Sequence, residues 1–146
     1  SYPYLMAGIN RALIIDDDEI NNFICIKNMQ DVGFANYASQ CLHGAEALEE
    51  IDAALAHRPE DLPDVIFLDI NMPKMNAWEF LEEYQERKAR FPKEILLFIL
   101  SSSVYRKDIK RSSAFDEVKE YIIKPLRKED LRLIKEKYFS DAGPAA

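Results

Sequence analysis

The sequence predicts an α/β fold: a five-stranded parallel sheet, doubly wound in (βα)5 fashion, with helices on both faces. Short apolar runs alternate with amphipathic stretches along the chain, as repeated βα units require. Two of the runs, Val65–Leu68 and Ile95–Leu100, are apolar throughout, which is expected of strands covered on both faces. No long linker and no further internal repeat interrupts the pattern.

The first strand is expected at Ala12–Ile15 and runs into Asp16, Asp17, Asp18 and Glu19. Asp18 is placed to cap the next helix, about Glu19–Val32, whose Ile20, Phe23, Ile24 and Met29 form the expected core-facing stripe. Gly33 suits the turn beyond its C-terminus. The second strand is read at Phe34–Ala38 and the second helix at about Gly44–Ala56, with Leu48, Ile51 and Leu55 at helical spacing. Val65–Leu68 leads to a helix at about Ala77–Arg90 that offers Trp78, Leu81 and Tyr84 to the core and that Pro92 helps to end. Ile95–Leu100 leads to a weakly amphipathic helix at about Lys107–Val118. The strand Tyr121–Ile123 and the helix Lys128–Tyr138, with Leu131, Ile134 and Tyr138 on one face, complete the set.

A chain of 146 residues supports one core without disulfides or a structural metal. Residues 10–139 are read as that domain, 1–9 as an N-terminal extension and 140–146 as a tail. The chain opens on Ser1 rather than Met, which fits a processing remnant, and leaves no room after Phe139 for an output or DNA-binding domain. If it is the whole protein, it is expected to act through its own surface. Its longest apolar stretch, Ile95–Leu100, is far too short to span a membrane, and no signal-peptide core is present, so the default compartment is cytoplasmic. A net charge of −7 disfavours nucleic acid and anionic membranes as partners. Cys25 and Cys41 lack a second pair for zinc and are read as ordinary thiols, and His43 and His57 as surface or turn residues.

In a parallel α/β sheet, ligands gather beyond the carboxyl ends of the strands. Those positions here hold Asp16-Asp17-Asp18-Glu19, Asp69, Ser101-Ser102-Ser103 and Lys124-Pro125. Clustered carboxylates repel one another unless a cation neutralises them, so this rim should bind a hard divalent ion through oxygen, with Mg²⁺ the natural candidate and Asp17 and Asp69 its ligands. A nucleophilic carboxylate, a metal, a hydroxyl and a lysine together suit phosphoryl transfer. Taken singly, each residue also has a plain reading: a helix cap, a turn, or a solvated charge before a proline.

The ordered set Leu-Ile-Ile-Asp-Asp-Asp, Phe-Leu-Asp-Ile-Asn-Met-Pro, Ile-Leu-Ser-Ser and Tyr-Ile-Ile-Lys-Pro-Leu resembles the receiver domains of two-component response regulators, from about Arg11 to Phe139, in their single-domain form. The resemblance implies a flavodoxin-like sheet of strand order 2-1-3-4-5. It makes Asp69 the phosphoacceptor, Asp17 a direct Mg²⁺ ligand, Asp16 an acid acting on the ion through water, and Asn71 the donor of a backbone carbonyl to it. Ser101 matches the hydroxyl that bonds the phosphoryl group, with Ser102 the alternative if the loop is shifted by one residue. Lys124 matches the family's lysine, Lys124-Pro125 its usual cis peptide, and Tyr121 the aromatic switch residue. Asn76-Ala77 stands where the family commonly has Asp-Gly.

The same resemblance implies transfer of a phosphoryl group from the phosphohistidine of a histidine kinase or phosphotransfer protein to Asp69, with Mg²⁺ required. The charge added then draws in Ser101 and Lys124, Tyr121 rotates inward, and the face built from the fourth helix, fifth strand and fifth helix is remodelled for a downstream protein or a phosphorylation-dependent homodimer. Family members tune phosphoryl lifetime at the positions of Asn71 and Ser103. Neither residue is large or charged, so a moderate lifetime at most is expected. Two alternatives compete. In the first, Asp16-x-Asp18, Ser101 and Lys124 follow the order of a haloacid-dehalogenase-type phosphohydrolase, although Glu19 stands where that family wants Thr or Gly and the late acidic pair is missing. The second is a non-phosphorylated binding module on the same scaffold.

Overall fold

The structure is a computed structural model that describes residues 8–139. Strands β1 (Arg11–Ile15), β2 (Tyr37–Cys41), β3 (Val65–Leu68), β4 (Leu96–Ser101) and β5 (Val118–Ile123) alternate with helices α1 (Glu19–Asp31), α2 (Gly44–His57), α3 (Ala77–Lys88), α4 (Arg106–Ser112) and α5 (Lys128–Tyr138). All strand pairs are parallel and the sheet order is β2-β1-β3-β4-β5, as expected. The central strands β3 and β4 are buried along their whole length, whereas the edge strands β2 and β5 are only partly covered.

The sheet divides the core in two. On one side Leu13, Ile15, Ile66 and Leu68 pack against α2 and α3 through Leu48, Ile51, Phe80 and Leu81. On the other, Ala12, Ile14, Phe67 and Phe98 pack against α1 and α5 through Cys25, Met29, Leu131 and Ile134. The two halves leave the strand ends free to carry polar groups. At the amino ends, the Asp64 carboxylate accepts from the backbone N–H of Asn10 (2.8 Å) and Arg11 (3.0 Å) and from the Lys93 ammonium (2.7 Å).

Local signals set the helix ends. Asp18 accepts from the N–H groups of Ile20 and Asn21, capping α1 as expected, and Gly33 beyond its end takes φ +61°. Asn76 forms a reciprocal cap with Glu79 at the start of α3, and the one positive φ in the loop before it falls on Lys74. Asn76 therefore works as a cap without needing a glycine after it.

The rotation of α1 differs from expectation. Ile20 (75%), Phe23 (69%) and Ile24 (51%) are exposed, and the residues turned inward are Asn22, Cys25 and Met29. Apolar side chains surround this helix on nearly all sides, so they do not fix its phase, and the side turned inward carries the hydrogen-bonded Asn22 described below. The strand β2 begins at Tyr37 rather than Phe34, because Phe34 is a buried loop anchor against Phe67 (ring centroids 6.1 Å apart). Polar Ser39 and Gln40 belong to β2 because an edge strand leaves such positions to water, and Cys41 is its buried last residue. Lys119 and Glu120 likewise belong to β5, which begins at Val118. The helix α4 ends at Ser112, short of Val118: the hydroxyls of Ser112 and Ser113 donate to the carbonyls of Ile109 and Lys110, each at 2.6 Å, in competition with further helix. The expectations for residues 1–7 and 140–146 lie outside the described residues.

Candidate functional site

The register of the sheet assembles the site. β1 and β3 pair Ile15 with Leu68, and the Asp69 N–H donates to the Ile15 carbonyl at 2.9 Å, so Asp16 and Asp69 leave neighbouring strands at one level. These strands flank the point where the winding of the sheet reverses, the place where a crevice opens. On the far side β4 pairs Ser101 with Ile123, and the Lys124 N–H donates to the Ser101 carbonyl at 2.9 Å. The lysine side chain thereby reaches back toward both acids. The Lys124-Pro125 peptide is cis.

Asp16, Asp17 and Asp69 each offer a carboxylate oxygen, and those oxygens all lie within 4.8 Å of one another. Asp16 is 1% exposed and fully engaged: Oδ1 accepts from the Asp18 N–H (2.9 Å), while Oδ2 accepts from Lys124 Nζ (2.7 Å) and Asn21 Nδ2 (3.1 Å). Asp69 is buried, with Lys124 Nζ 3.5 Å from its Oδ1. Asp17 is exposed at the rim, and its carboxylate takes no hydrogen bond among the described residues.

Charge is poorly tolerated at the centre of this group. Burial, reinforced by the nearby Asp16 carboxylate, pushes the Asp69 pKa up to about 6 against the pull of Lys124. Burial also works against the Lys124 ammonium, but its bond to Asp16 and the charge of Asp69 outweigh this and hold its pKa above the ordinary lysine value. Three acids of which one cation pairs with two, with oxygen as the only donor element and the third carboxylate left open to solvent, suit a hard divalent ion that keeps part of its water.

The other expected site residues fall around this cluster. Ser101 is fully buried at the end of β4, where its hydroxyl oxygen accepts from the Ser103 N–H at 3.1 Å, whereas Ser102 is exposed. Ser103 donates to Asp108 at 2.5 Å and its carbonyl accepts from the Tyr121 hydroxyl at 2.9 Å, so Tyr121 is half-buried and tied to the loop after β4. Asn71 is exposed, two residues beyond Asp69. Neither cysteine joins the site: burial pushes the Cys25 thiol up to about 11 and raises Cys41 as well, and both stay protonated. Both histidines are exposed.

Asn21 and Asn22 were not singled out by the motifs, yet both bond Asp16. Asn22 is completely buried, and its Nδ2 donates to the Asp16 backbone carbonyl (2.8 Å) and to Gln40 Oε1 (2.9 Å). The available signal was spacing: Asn22, Cys25 and Met29 recur at three and four, as a buried stripe does.

Comparison with known proteins agrees with this geometry. The family described as response regulator receiver domain matches residues 12–135. A hybrid signal transduction histidine kinase L from Dictyostelium discoideum is 30% identical over 132 residues, and the regulatory protein AtoC of Escherichia coli 29% over 131. The chain covers 7% and 25% of the lengths of these two relatives, with 89% and 88% of its own length aligned. Among solved structures, a two-component response regulator from Cytophaga hutchinsonii superposes with a TM-score of 0.80 at 28% identity, over 89% of this chain and 96% of the other. The receiver domain of the Arabidopsis thaliana histidine kinase CKI1, solved with Mg²⁺ and BeF3⁻, superposes at 0.74 with 21% identity, over 88% and 96%. Among the described residues no helix is long and apolar enough to cross a membrane.

Proposed function

The chain belongs to the response regulator receiver family, and from that premise we propose that Asp69 accepts a phosphoryl group from the phosphohistidine of a histidine kinase or phosphotransfer protein. A receiver is a phosphoacceptor signalling module of two-component systems rather than an enzyme acting on an external substrate, which removes the phosphohydrolase alternative. The observation that carries the proposal is the convergence of three carboxylates and the Lys124 ammonium at one end of the sheet.

Asp69, as carboxylate, attacks phosphorus; the P–N bond to the donor imidazole breaks, and that nitrogen keeps the bonding electron pair. Asp17, Asp69 and the Asn71 carbonyl would hold Mg²⁺ directly and Asp16 through water. The bound ion would supply positive charge that offsets the build-up of negative charge on the phosphoryl oxygens. Lys124, only 3.5 Å from Asp69, binds a phosphoryl oxygen as a compact point charge. Ser101, buried beside this corner, contributes its hydroxyl, and its exposed neighbour Ser102 does not. Movement of the Ser101–Ser103 loop breaks the Tyr121–Ser103 bond and lets the ring turn inward.

The surface that changes is read as α4, β5 and α5. Val104 (69%), Tyr105 (74%), Ile109, Ile123 and Leu133 are exposed there, supporting its role in binding a downstream protein or a second copy. With Asn71 and Ser103 both small and uncharged, water retains access and the phosphoryl lifetime is moderate at most. Incubation with Mg²⁺ and acetyl phosphate, followed by intact mass measurement, tests the reading. One phosphate adduct, absent in Asp69→Ala, is expected. A folded protein that takes up none is instead a non-phosphorylated binding module.

A further inference from the structure

Asn22 is an expensive residue in its position. It is completely buried, and its Oδ1 has no hydrogen-bond partner among the described residues, a loss that works against the folded state. The amide cannot turn over to mend this, because a backbone carbonyl accepts only from a donor, and Nδ2 must therefore face Asp16. The same helix leaves Ile20, Phe23 and Ile24 in water, any of which would fill an apolar space better. What the asparagine provides is a hold on one particular peptide.

That peptide links Asp16 to Asp17. The Asp16 N–H is fixed at the end of the sheet by its bond to the Cys41 carbonyl (3.1 Å), and both carboxylate oxygens of Asp16 are occupied. The ladder ends there, and Asn22 takes up the Asp16 carbonyl. Asp17 makes no side-chain bond of its own among the described residues, so the peptide before it is what sets where its Cα–Cβ bond leaves the backbone. Gln40, on the edge strand, in turn holds Asn22 through its Oε1.

Resting on the Mg²⁺-dependent reading above, we infer that Asn22, braced by Gln40, is a positioning residue for the metal: it orients the Asp16–Asp17 peptide so that the free Asp17 carboxylate points at the ion. Outer partners of metal ligands commonly contribute 10–100-fold in affinity.

The test is a Mg²⁺ titration of the full chain, read by amide chemical shifts in NMR spectra that also report whether each variant is folded. Asn22→Ala is expected to weaken Mg²⁺ binding about ten-fold or more. Gln40→Met, a change on the exposed edge strand, removes the acceptor that holds Asn22 and is expected to weaken it as well, by about ten-fold at most. The rate of phosphorylation by acetyl phosphate should fall at limiting Mg²⁺ and recover to near wild type at saturating Mg²⁺, a split that general loss of stability does not produce. Equal affinity in wild type and both variants overturns the inference and leaves the phosphoacceptor reading standing. Failure of the rate to recover at saturating Mg²⁺ also overturns it, and a wild type that binds no Mg²⁺ overturns both readings together. Should Asn22→Ala not fold, Gln40→Met decides.

Discussion

Lys124 Nζ lies 2.7 Å from Asp16 and 3.5 Å from Asp69, so the ammonium sits against the more deeply buried acid and stands off from the proposed phosphoacceptor. Burial and the neighbouring Asp16 carboxylate raise the Asp69 pKa, and an ammonium at this distance does not offset them.

Removing the lysine should therefore injure the fold before any chemistry is considered. Lys124→Met leaves Asp16, 1% exposed, without its cation, and breaking a buried pair from one side costs about 3 kcal/mol in general. Urea denaturation at neutral pH should show a loss of that order; a loss below about 1 kcal/mol would show that water replaces the ammonium without difficulty.

The pH dependence of stability isolates Asp69. Its folded pKa, about 6, lies above the ordinary aspartate value of 3.8, so between these values the folded state holds a proton that the unfolded state has released. Stability then falls as pH rises through this window and stays low above it. In metal-free buffer Asp69→Asn should be more stable than wild type at pH 8, by at most about 3 kcal/mol, with the gap closing below about pH 4. Mg²⁺ should narrow the gap. An equal difference at both pH values contradicts the raised pKa.

The rotation of α1 is open to direct test. Phe23→Ser and Ile24→Ser should each change stability by no more than about 0.5 kcal/mol, as exposed positions do, whereas Met29→Ala, 2% exposed in wild type, should cost about 2–5 kcal/mol. The reverse order would mean that the apolar stripe faces the core after all.

Trp78 is the only tryptophan, and it packs where α3 meets α4 and the turn that follows it, beside the surface read as changing. Its ring stacks on Phe115 (6.0 Å), and the Arg111 guanidinium of α4 sits 4.9 Å from its centre. Acetyl phosphate with Mg²⁺ should change tryptophan emission in wild type and leave it unchanged in Asp69→Ala. Arg111→Ala should shift the resting emission and lower stability by about 0.5–1 kcal/mol. Emission indifferent to both treatments would place the motion elsewhere.

The sequence was informative where physical demand and residue type coincide. β3 is legible to the residue because a fully buried strand has no reason to be polar, and Asp16, Asp69 and Lys124 stand out together because each follows an apolar run of one parallel sheet, whose carboxyl ends share a rim. The edge strands were misjudged because solvent relaxes the demand for apolar residues, and Ser39 or Lys119 can then sit in a ladder. The phase of α1 was hidden for a different reason. A stripe is read by where the oily residues are, whereas the inward side of this helix includes a buried amide that reads as an ordinary polar residue until Asp16 is seen beside it.

Asp64 works at the amino ends of the strands, opposite the acids. Its carboxylate gathers Asn10 and Arg11, at the entry to β1, and Lys93, ahead of β4, onto the start of β3, a clasp in which no group of the candidate site takes part. Asp64→Ala should therefore loosen that margin of the sheet and leave the opposite margin, with every group proposed to meet the phosphate, in place.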